Sequence, residues 1–296
     1  MNKWILLAIC LTTIGTSGCL RLDDFFYDQE KLEAYALDDY TGEVDFTLPD
    51  HLDIPDSLIH LFPLTSSSGN QSVTIQGLLV GSMTDFAQDT FLLYCHGNKH
   101  HLDFYWPRIK LLANLGAGRG IQVMSFDYQG YGRSEGKPSQ DGLYQDAMAA
   151  RNWLTAQGVT PDRIILYGFS LGSIPAIHLA AAPGQTGQGW LILEAPLASS
   201  TTLVQEASTL SLPAGFLTDL DFDNAAAITN VSQPLLWMHG EDDQSTPIQT
   251  HGEPVFQAYR GSRSTAIRVP LAGHANLPQT LGFDAYLQAI RSFLKG

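Results

Sequence analysis

After Thr90 the chain alternates short apolar runs with longer amphipathic stretches, and this alternation limits the possible folds more than any other feature. Apolar runs without a polar face are typical of strands that are buried on both sides of a sheet. Strands that alternate with helices form a mostly parallel sheet, because each connection crosses back over that sheet. The predicted strands are Phe91–Cys95, Ile121–Phe126, Ile164–Tyr167, Trp190–Leu193, Leu235–Met238 and Ala266–Val269.

The helices predicted between and after these strands are Tyr105–Leu115, Asp141–Ala156, Leu171–Ala182, Ile248–Tyr259 and Gln279–Leu294. Before Thr90, the runs Ser57–Leu64 and Ser72–Gly81 are joined by a turn-forming segment and predict an antiparallel hairpin at the start of the sheet. Ligands of such sheets bind beyond the carboxyl ends of the strands, so the residues that follow each strand are the candidates for chemistry.

The composition is that of a single large globular domain. The 296 residues are 44% hydrophobic and 16% charged, and they contain neither an internal repeat nor a mid-chain linker. The formal net charge of −14, without any cluster of Lys and Arg, argues against nucleic acid as a partner. Cys95 has no cysteine to pair with, and no two cysteines are spaced for a disulfide framework or for a metal site.

The N-terminus has the features of an export signal. Met-Asn-Lys is followed by the apolar stretch Trp4–Ile14, which is too short to cross a bilayer, and then by small residues. The alternative for this stretch is a buried first helix. The aromatic residues between Arg21 and about Asp50 favour packing of that segment on the domain.

The small residues that end at Cys19 resemble the lipobox of bacterial lipoproteins. The resemblance implies a signal peptide at 1–18, an acylated Cys19 and an N-terminal segment at 19–50. With Leu20 next, it implies an exported protein of the bacterial cell envelope, anchored by lipid to the outer membrane and facing the periplasm. Thr16 stands where Leu is usual, so cleavage without a lipid stays open as the alternative.

Ser170 stands between two glycines directly after a predicted strand. The segment Gly168–Gly172 reads Gly-Phe-Ser-Leu-Gly and matches G-x-S-x-G, in which a tight strand-to-helix turn raises a serine oxygen and the glycines avoid collisions. The alternative is a glycine-rich turn without chemistry. The apolar run before the motif and the helix of small residues after it favour Ser170 as a nucleophile.

A serine hydroxyl needs a base within about 3 Å to accept its proton. Of the nine histidines, His274 follows the last predicted strand and precedes the final helix, so a loop can carry its imidazole over the sheet. His178 lies on a packing face of a helix, and the adjacent His100 and His101 are interpreted as pocket rim or surface rather than metal ligands. Three further histidines have no motif around them: His51, His60 and His251.

The imidazole needs a carboxylate that fixes its tautomer and stabilises its charged form. Asp243 follows the strand Leu235–Met238, at the same edge of the sheet as the serine. Glu241 and Asp242 are close competitors whose other role is a solvated acidic loop. Glu194, after the run Trp190–Leu193, is a remoter candidate, and a buried structural role is favoured for it.

Acyl transfer also needs hydrogen-bond donors for an oxyanion, each worth about 3 kcal/mol. The backbone N–H of Leu171, directly after the nucleophile, is the first predicted donor. The loop after Phe91–Cys95 reads His-Gly-Asn, and Gly97 permits a close approach of the backbone, so the Asn98 N–H is the second predicted donor. The alternative for this loop is a simple turn.

Together these motifs resemble the α/β-hydrolase superfamily from about Leu78 to the C-terminus, in the branch of serine aminopeptidase-like hydrolases and membrane-associated depalmitoylases. The chain order serine, acid, histidine agrees with that superfamily. The segments that carry the resemblance are His96–Asn98, Asp127–Ser134, Gly168–Gly172, His239–Asp243 with Pro247, and Gly273–His274.

The resemblance implies an α/β-hydrolase fold over 51–296, with a mostly parallel central sheet, helices on both faces and a short lid insertion near 197–231. It implies that the acid is the last residue of His-Gly-x-x-Asp, which favours Asp243, and that Asp127–Ser134 is structural. Lys99, His100 and His101 stand where small residues are usual. The apolar residues of the insertion suit a lid over acyl substrates and core packing equally: Leu203, Leu210, Leu212, Phe216, Leu217 and Phe222.

The sequence therefore predicts a serine hydrolase that cleaves carboxylic esters or thioesters through an acyl-enzyme, acts on a small-molecule acyl substrate, contacts a membrane through its anchor and needs no cofactor or metal. One alternative is an aminopeptidase-like amide hydrolase, in which Asp219, Asp221 or Asp223 would hold a substrate ammonium. The other is a non-catalytic envelope lipoprotein that keeps the fold as a scaffold.

Overall fold

Eight strands form one sheet, and a computed structural model gives their bounds. The strands are β1 Ile59–Ser68, β2 Gln71–Val80, β3 Thr90–Cys95, β4 Ile121–Phe126, β5 Ile164–Phe169, β6 Trp190–Glu194, β7 Leu235–Gly240 and β8 Ser264–Val269. Their spatial order is β8-β7-β6-β5-β3-β4-β2-β1. Within the described residues, β2 is antiparallel to its neighbours β1 and β4, and the other neighbouring strands of this sheet pair in parallel. The predicted mostly parallel sheet is confirmed.

The structure describes residues 26–68, 71–84, 86–116, 120–182, 189–207 and 218–296. The predicted signal peptide and the predicted lipidation site Cys19 lie outside them. Within these ranges no helix combines the length and apolar character that crossing a membrane requires.

The helices are α1 Leu102–Ala113, α2 Gln140–Ala156, α3 Ser173–Ala181, α4 Ser200–Ala207, α5 Asn224–Ala227, α6 Glu253–Ala258, α7 Leu277–Leu281 and α8 Phe283–Lys295. Two predicted helices differ from these. The predicted final helix is divided at Gly282, whose φ of +88° interrupts the helical backbone. The helix predicted from Ile248 begins with a π-helical turn, Ile248–Gly252, before α6.

The sheet buries both of its faces, as the unbroken apolar runs predict. Along β3, Phe91, Leu93 and Cys95 pack on one face and Leu92 and Tyr94 on the other. Apolar residues of α2, α3 and α6 cover the first face, and those of α1 and α8 cover the second. Because β3, β5, β7 and β8 run parallel, their carboxyl ends lie at one edge of the sheet.

Residues 26–56, the described part of the N-terminal region, pack against the domain. Asp28–Gln29 forms a short parallel strand pair with Lys99–His100, and Phe46 and Leu52 are buried in the core on the α1 face. Within the predicted lid insertion, Phe222 is buried and Leu203 packs against the same core, whereas Leu210, Leu212, Phe216 and Leu217 lie outside the described residues.

Candidate active site

Ser170 occupies a tight turn between β5 and α3. Its φ of +51° lies in the left-handed region, which is rare for a residue other than glycine, and only 8% of the residue is exposed. A Cβ on Gly172 would lie 1.9 Å from the Cys95 carbonyl oxygen, and one on Gly168 would lie 2.6 Å from the Gly172 carbonyl oxygen. The turn therefore requires both glycines of the G-x-S-x-G motif, because backbone atoms occupy the space of any side chain.

A continuous hydrogen-bonded chain joins the three side chains predicted for catalysis. Ser170 Oγ lies 2.8 Å from His274 Nε2, and His274 Nδ1 lies 2.8 Å from Asp243 Oδ2. The carboxylate can only accept, so Nδ1 carries the proton and Nε2 is free to accept the serine proton. The His274 side chain is 22% exposed, and that of Asp243 is fully buried.

The Asp243 carboxylate is held in a turn of its own loop. Its Oδ1 accepts hydrogen bonds from the backbone N–H groups of Ser245 at 2.8 Å and Thr246 at 2.9 Å. Thr246 Oγ1 donates to Oδ2 at 2.8 Å and also lies 3.0 Å from His274 Nδ1. Burial alone would raise the pKa of Asp243, but hydrogen bonds from His239 and His274 outweigh it and hold the pKa well below its usual range.

The other candidate carboxylates lie elsewhere. Glu241 and Asp242 are exposed, as a solvated loop requires. Glu194 is fully buried, accepts from Arg108 Nη1 at 2.7 Å and is hydrogen-bonded to Tyr167 and Tyr286 rather than to His274.

The loop that carries Asn98 lies against the Ser170 turn. Cys95 pairs with Gly168 across β3 and β5, which brings the ends of the two strands together. A Cβ on Gly97 would lie 3.1 Å from the Phe169 ring and 2.6 Å from the Tyr105 hydroxyl, so this position requires glycine. The two predicted oxyanion donors, the N–H groups of Leu171 and Asn98, thus belong to adjoining segments.

Beneath the site lies a buried charge network that the sequence reasoning missed. The Arg108 guanidinium is fully buried and lies 4.2 Å from the centroid of the Phe169 ring, which itself packs against the His274 imidazole. Arg108 Nη2 donates to the carbonyl oxygen of Ala275, the residue after His274, at 2.8 Å, and its Nε pairs with Asp45 at 2.7 Å. No local signal could reveal this network, because its members are distant in sequence.

Two further features that were not predicted from the sequence lie close to the sequence motifs. Thr246 could have been inferred from an aspartate followed three residues later by threonine, a pattern typical of a side-chain-stabilised turn. The interpretation of His101 as pocket rim or surface is wrong: its side chain is fully buried, since the N-terminal segment covers it with the ring of Tyr40 at 5.3 Å. Its neighbour His100 is partly exposed and pairs with Glu30 at 3.0 Å.

Across the described ranges, no group of three or more His, Cys, Asp or Glu side chains is arranged to hold a metal ion. Separately, the described residues bring the Ser170 hydroxyl, the His274 imidazole and the Asp243 carboxylate into contact, the arrangement predicted for acyl transfer.

Comparison with known proteins places this chain in a family. The family model described as serine aminopeptidase S33 matches residues 87–220. An uncharacterized protein of Mycobacterium tuberculosis, MT2364, is 34% identical over 207 residues, which is 69% of each chain. The human alpha/beta hydrolase domain-containing protein 17B is 31% identical over 209 residues, or 69% of this chain and 65% of that protein. The chain belongs to the α/β-hydrolase superfamily.

The fold of this hydrolase agrees with solved structures. The Pyrococcus furiosus esterase Pf2001 matches 84% of this chain and 93% of its own with a TM-score of 0.62, at 17% sequence identity. The matched family segment contains β3, β4, β5 and the Ser170 turn, so the hydrolase carries its predicted nucleophile within the shared core.

Proposed function

We propose that this hydrolase cleaves carboxylic esters or thioesters through an acyl-enzyme formed on Ser170. The observation that carries the proposal is the hydrogen-bonded chain from Ser170 Oγ through His274 to Asp243, with both contacts at 2.8 Å. A serine without a base is a weak nucleophile, and a base without an orienting acid is poorly aligned. The serine, the base and the acid all follow the carboxyl ends of neighbouring parts of the sheet: Ser170 follows β5, Asp243 follows β7 and His274 follows β8.

The proposed reaction begins when His274 Nε2 takes the proton of the Ser170 hydroxyl as its oxygen attacks the acyl carbon. Asp243 stabilises the imidazolium, and the N–H groups of Leu171 and Asn98 hold the oxyanion of the tetrahedral intermediate. His274 then protonates the leaving alcohol or thiol, and the acyl group stays on Ser170. Water attacks the acyl-enzyme by the same steps and releases the acid.

An aminopeptidase-like amide hydrolase is the second candidate, because the matching family is described as serine aminopeptidase. Two carboxylates expected to hold a substrate ammonium already have partners within the protein. Asp223 caps α5 by accepting from the Ala226 N–H at 2.8 Å, and Asp221 accepts from the Gln140 side chain. A comparison of kcat/KM on matched acyl esters and amino-acyl amides decides between the two, and a preference for the amide would reverse our choice.

The test of the mechanism is ester turnover by Ser170→Ala over a panel of p-nitrophenyl esters of graded acyl length. We expect kcat to fall by about 10⁴-fold or more, since the nucleophile is lost. Ser292→Ala, on an exposed position of α8, is the matched control and should keep full activity. Unchanged turnover by Ser170→Ala would contradict the mechanism and would favour a non-catalytic scaffold.

We further propose that the protein is exported and held on the outer membrane by acyl chains on Cys19. Two or more buried acyl chains would give stable attachment, whereas one chain gives only reversible binding. The support is the sequence pattern at Cys19 alone. Mass spectrometry of the mature N-terminus should find an acylated Cys19 as the first residue. A mature chain that begins elsewhere, or an unmodified Cys19, would overturn the anchor.

A further inference from the structure

Both the nitrogen and the oxygen of the Asn98 carboxamide form hydrogen bonds within the protein. Its Nδ2 donates to the Phe26 carbonyl oxygen at 2.6 Å. Its Oδ1 accepts from the Tyr131 hydroxyl at 2.8 Å and from the Asp28 N–H at 3.2 Å. A carboxamide oxygen has two lone pairs, so its acceptor capacity is filled. The Asn98 side chain therefore has one bonded geometry, and the N-terminal segment sets most of it.

The backbone on either side of Asn98 is held by contacts with other segments. Gly97 precedes it, and its carbonyl oxygen lies 2.7 Å from His96 Nδ1. Lys99 follows it, with its N–H donated to the Tyr105 hydroxyl at 3.1 Å. His100 then adopts a φ of +48°, a strained value for histidine that persists only where the surroundings hold it. The short strand Asp28–Gln29 supplies that restraint by pairing with Lys99–His100.

We propose that the Asn98 side chain is a positioning residue that fixes the oxyanion-binding N–H of its own backbone, and that residues 26–29 therefore form part of the active-site scaffold. This proposal rests on the proposed function. An oxyanion donor must point at the place where charge develops, and small misplacements of the donor reduce the rate strongly. The N-terminal segment therefore orients the Asn98 N–H, one of the two predicted oxyanion donors.

The test compares Asn98→Ala with wild type in the full chain, by steady-state kinetics on a p-nitrophenyl ester and by the affinity for a trifluoromethyl ketone. The ketone binds Ser170 as a tetrahedral oxyanion, whereas KM reports mostly the ground state. We expect kcat and ketone affinity each to fall about 10- to 100-fold, with KM changed less than about threefold. The loss is smaller than for a deleted donor, because the N–H is misaligned rather than removed.

The matched control is Asn114→Ala. Asn114 Nδ2 also donates to a carbonyl oxygen of the N-terminal region, that of Leu52 at 2.8 Å, but from the far end of α1. We expect this variant to keep kcat and ketone affinity within about twofold of wild type, even if it melts earlier. A merely structural role of Asn98 would make the two variants alike.

Tyr131→Phe decides the case if Asn98→Ala does not fold, since it removes one donor to Asn98 Oδ1 and leaves the strand pair intact. We expect kcat and ketone affinity to fall about 3- to 10-fold. If a folded Asn98→Ala or Tyr131→Phe keeps both values, or changes only KM, the positioning role is wrong while Ser170 chemistry stands. If wild type neither hydrolyses esters nor binds the ketone, the proposed function fails and the positioning role falls with it.

Discussion

At the scale of single residues, the chemistry depends on which carboxylate of an acidic loop contacts His274. Three acidic residues stand in a row, and only the third points inward, because its Oδ1 accepts two backbone N–H groups that close the turn around it. Hydrogen bonds from His239 and His274 outweigh the effect of burial and hold the pKa of Asp243 low, so the carboxylate stays ionised through neutral and mildly acidic pH.

Asp243→Asn should reduce kcat by about 10³- to 10⁴-fold, because an amide no longer stabilises the imidazolium or fixes the tautomer of His274. Asp242→Asn is the matched control, as an exposed neighbour of the same chemistry, and should keep activity within about twofold. Because the pKa of Asp243 lies below its usual range, this group should cause no loss of wild-type activity above about pH 5. Equal losses in the two variants, measured by ester kinetics, would contradict this assignment.

The sequence pattern could identify the candidate catalytic residues but not the further side chains that contact them. Ser170, Asp243 and His274 each follow a predicted strand, so topology alone predicts that they lie at one edge of the sheet. The contacts of Thr246 with both Asp243 and His274 depend on the local turn, which a strand-and-helix pattern does not describe. The burial of His101 depends on a segment about sixty residues earlier in the chain, so no local pattern reveals it.

At the scale of elements, the strand–turn–helix unit around Ser170 determines where the nucleophile lies. The turn passes so close to the end of β3 that a methyl group on Gly172 would overlap the Cys95 carbonyl oxygen, at 1.9 Å. Neither atom can move without a shift of β3 or α3, both of which are packed in the core.

Gly172→Ala should therefore destabilise the fold by about 3 kcal/mol or more, or displace Ser170 enough to reduce kcat at least about 100-fold. Gly158→Ala is the comparison variant, since Gly158 has a φ of +92° but no atom within 4 Å of an added Cβ. The free energy of unfolding of this variant should fall by only about 1 kcal/mol through backbone strain, and its kcat should be unchanged. Chemical denaturation and ester kinetics measure both, and a Gly172→Ala variant as stable and active as wild type would refute the close approach.

The elements themselves were largely predictable, because buried parallel strands leave long apolar runs and helices leave a 3.6-residue pattern. The breaks within helices were not. Gly282 divides the last helical region through its positive φ, and the π-helical turn before α6 places His251 against the Ala198 N–H at 3.1 Å. Apolar periodicity continues across such breaks, so it cannot locate them.

At the scale of the whole molecule, a buried ion pair joins the N-terminal segment to the sheet edge that carries Ser170 and His274. Asp45 and Arg108 are both fully buried and pair at 2.7 Å, and Arg108 in turn holds the carbonyl oxygen beside His274. The same segment reaches Asp127 through the Tyr35 hydroxyl at 2.6 Å. Residues of the N-terminal segment thus support the predicted catalytic residues, from which they are distant in sequence.

Asp45→Ala should destabilise the protein by about 1–3 kcal/mol, because the buried Arg108 Nε loses its acceptor while Glu194 still pairs with Arg108 Nη1. Asp53→Ala is the matched control on the same segment, since Asp53 pairs with Lys110 but its side chain is 56% exposed. Asp53→Ala should lower the free energy of unfolding by about 1 kcal/mol or less. Urea denaturation of both variants provides the measurement, and similar losses would show that the buried pair has no special role.

The central claim is that Ser170 becomes the site of covalent acylation through His274. Labelling with a fluorophosphonate probe, followed by mass spectrometry of the peptides, tests it most directly. We expect the probe mass on Ser170 in wild type, and labelling slower by about 10³-fold or more in His274→Ala. An unlabelled Ser170, or equal labelling rates in the two proteins, would contradict it.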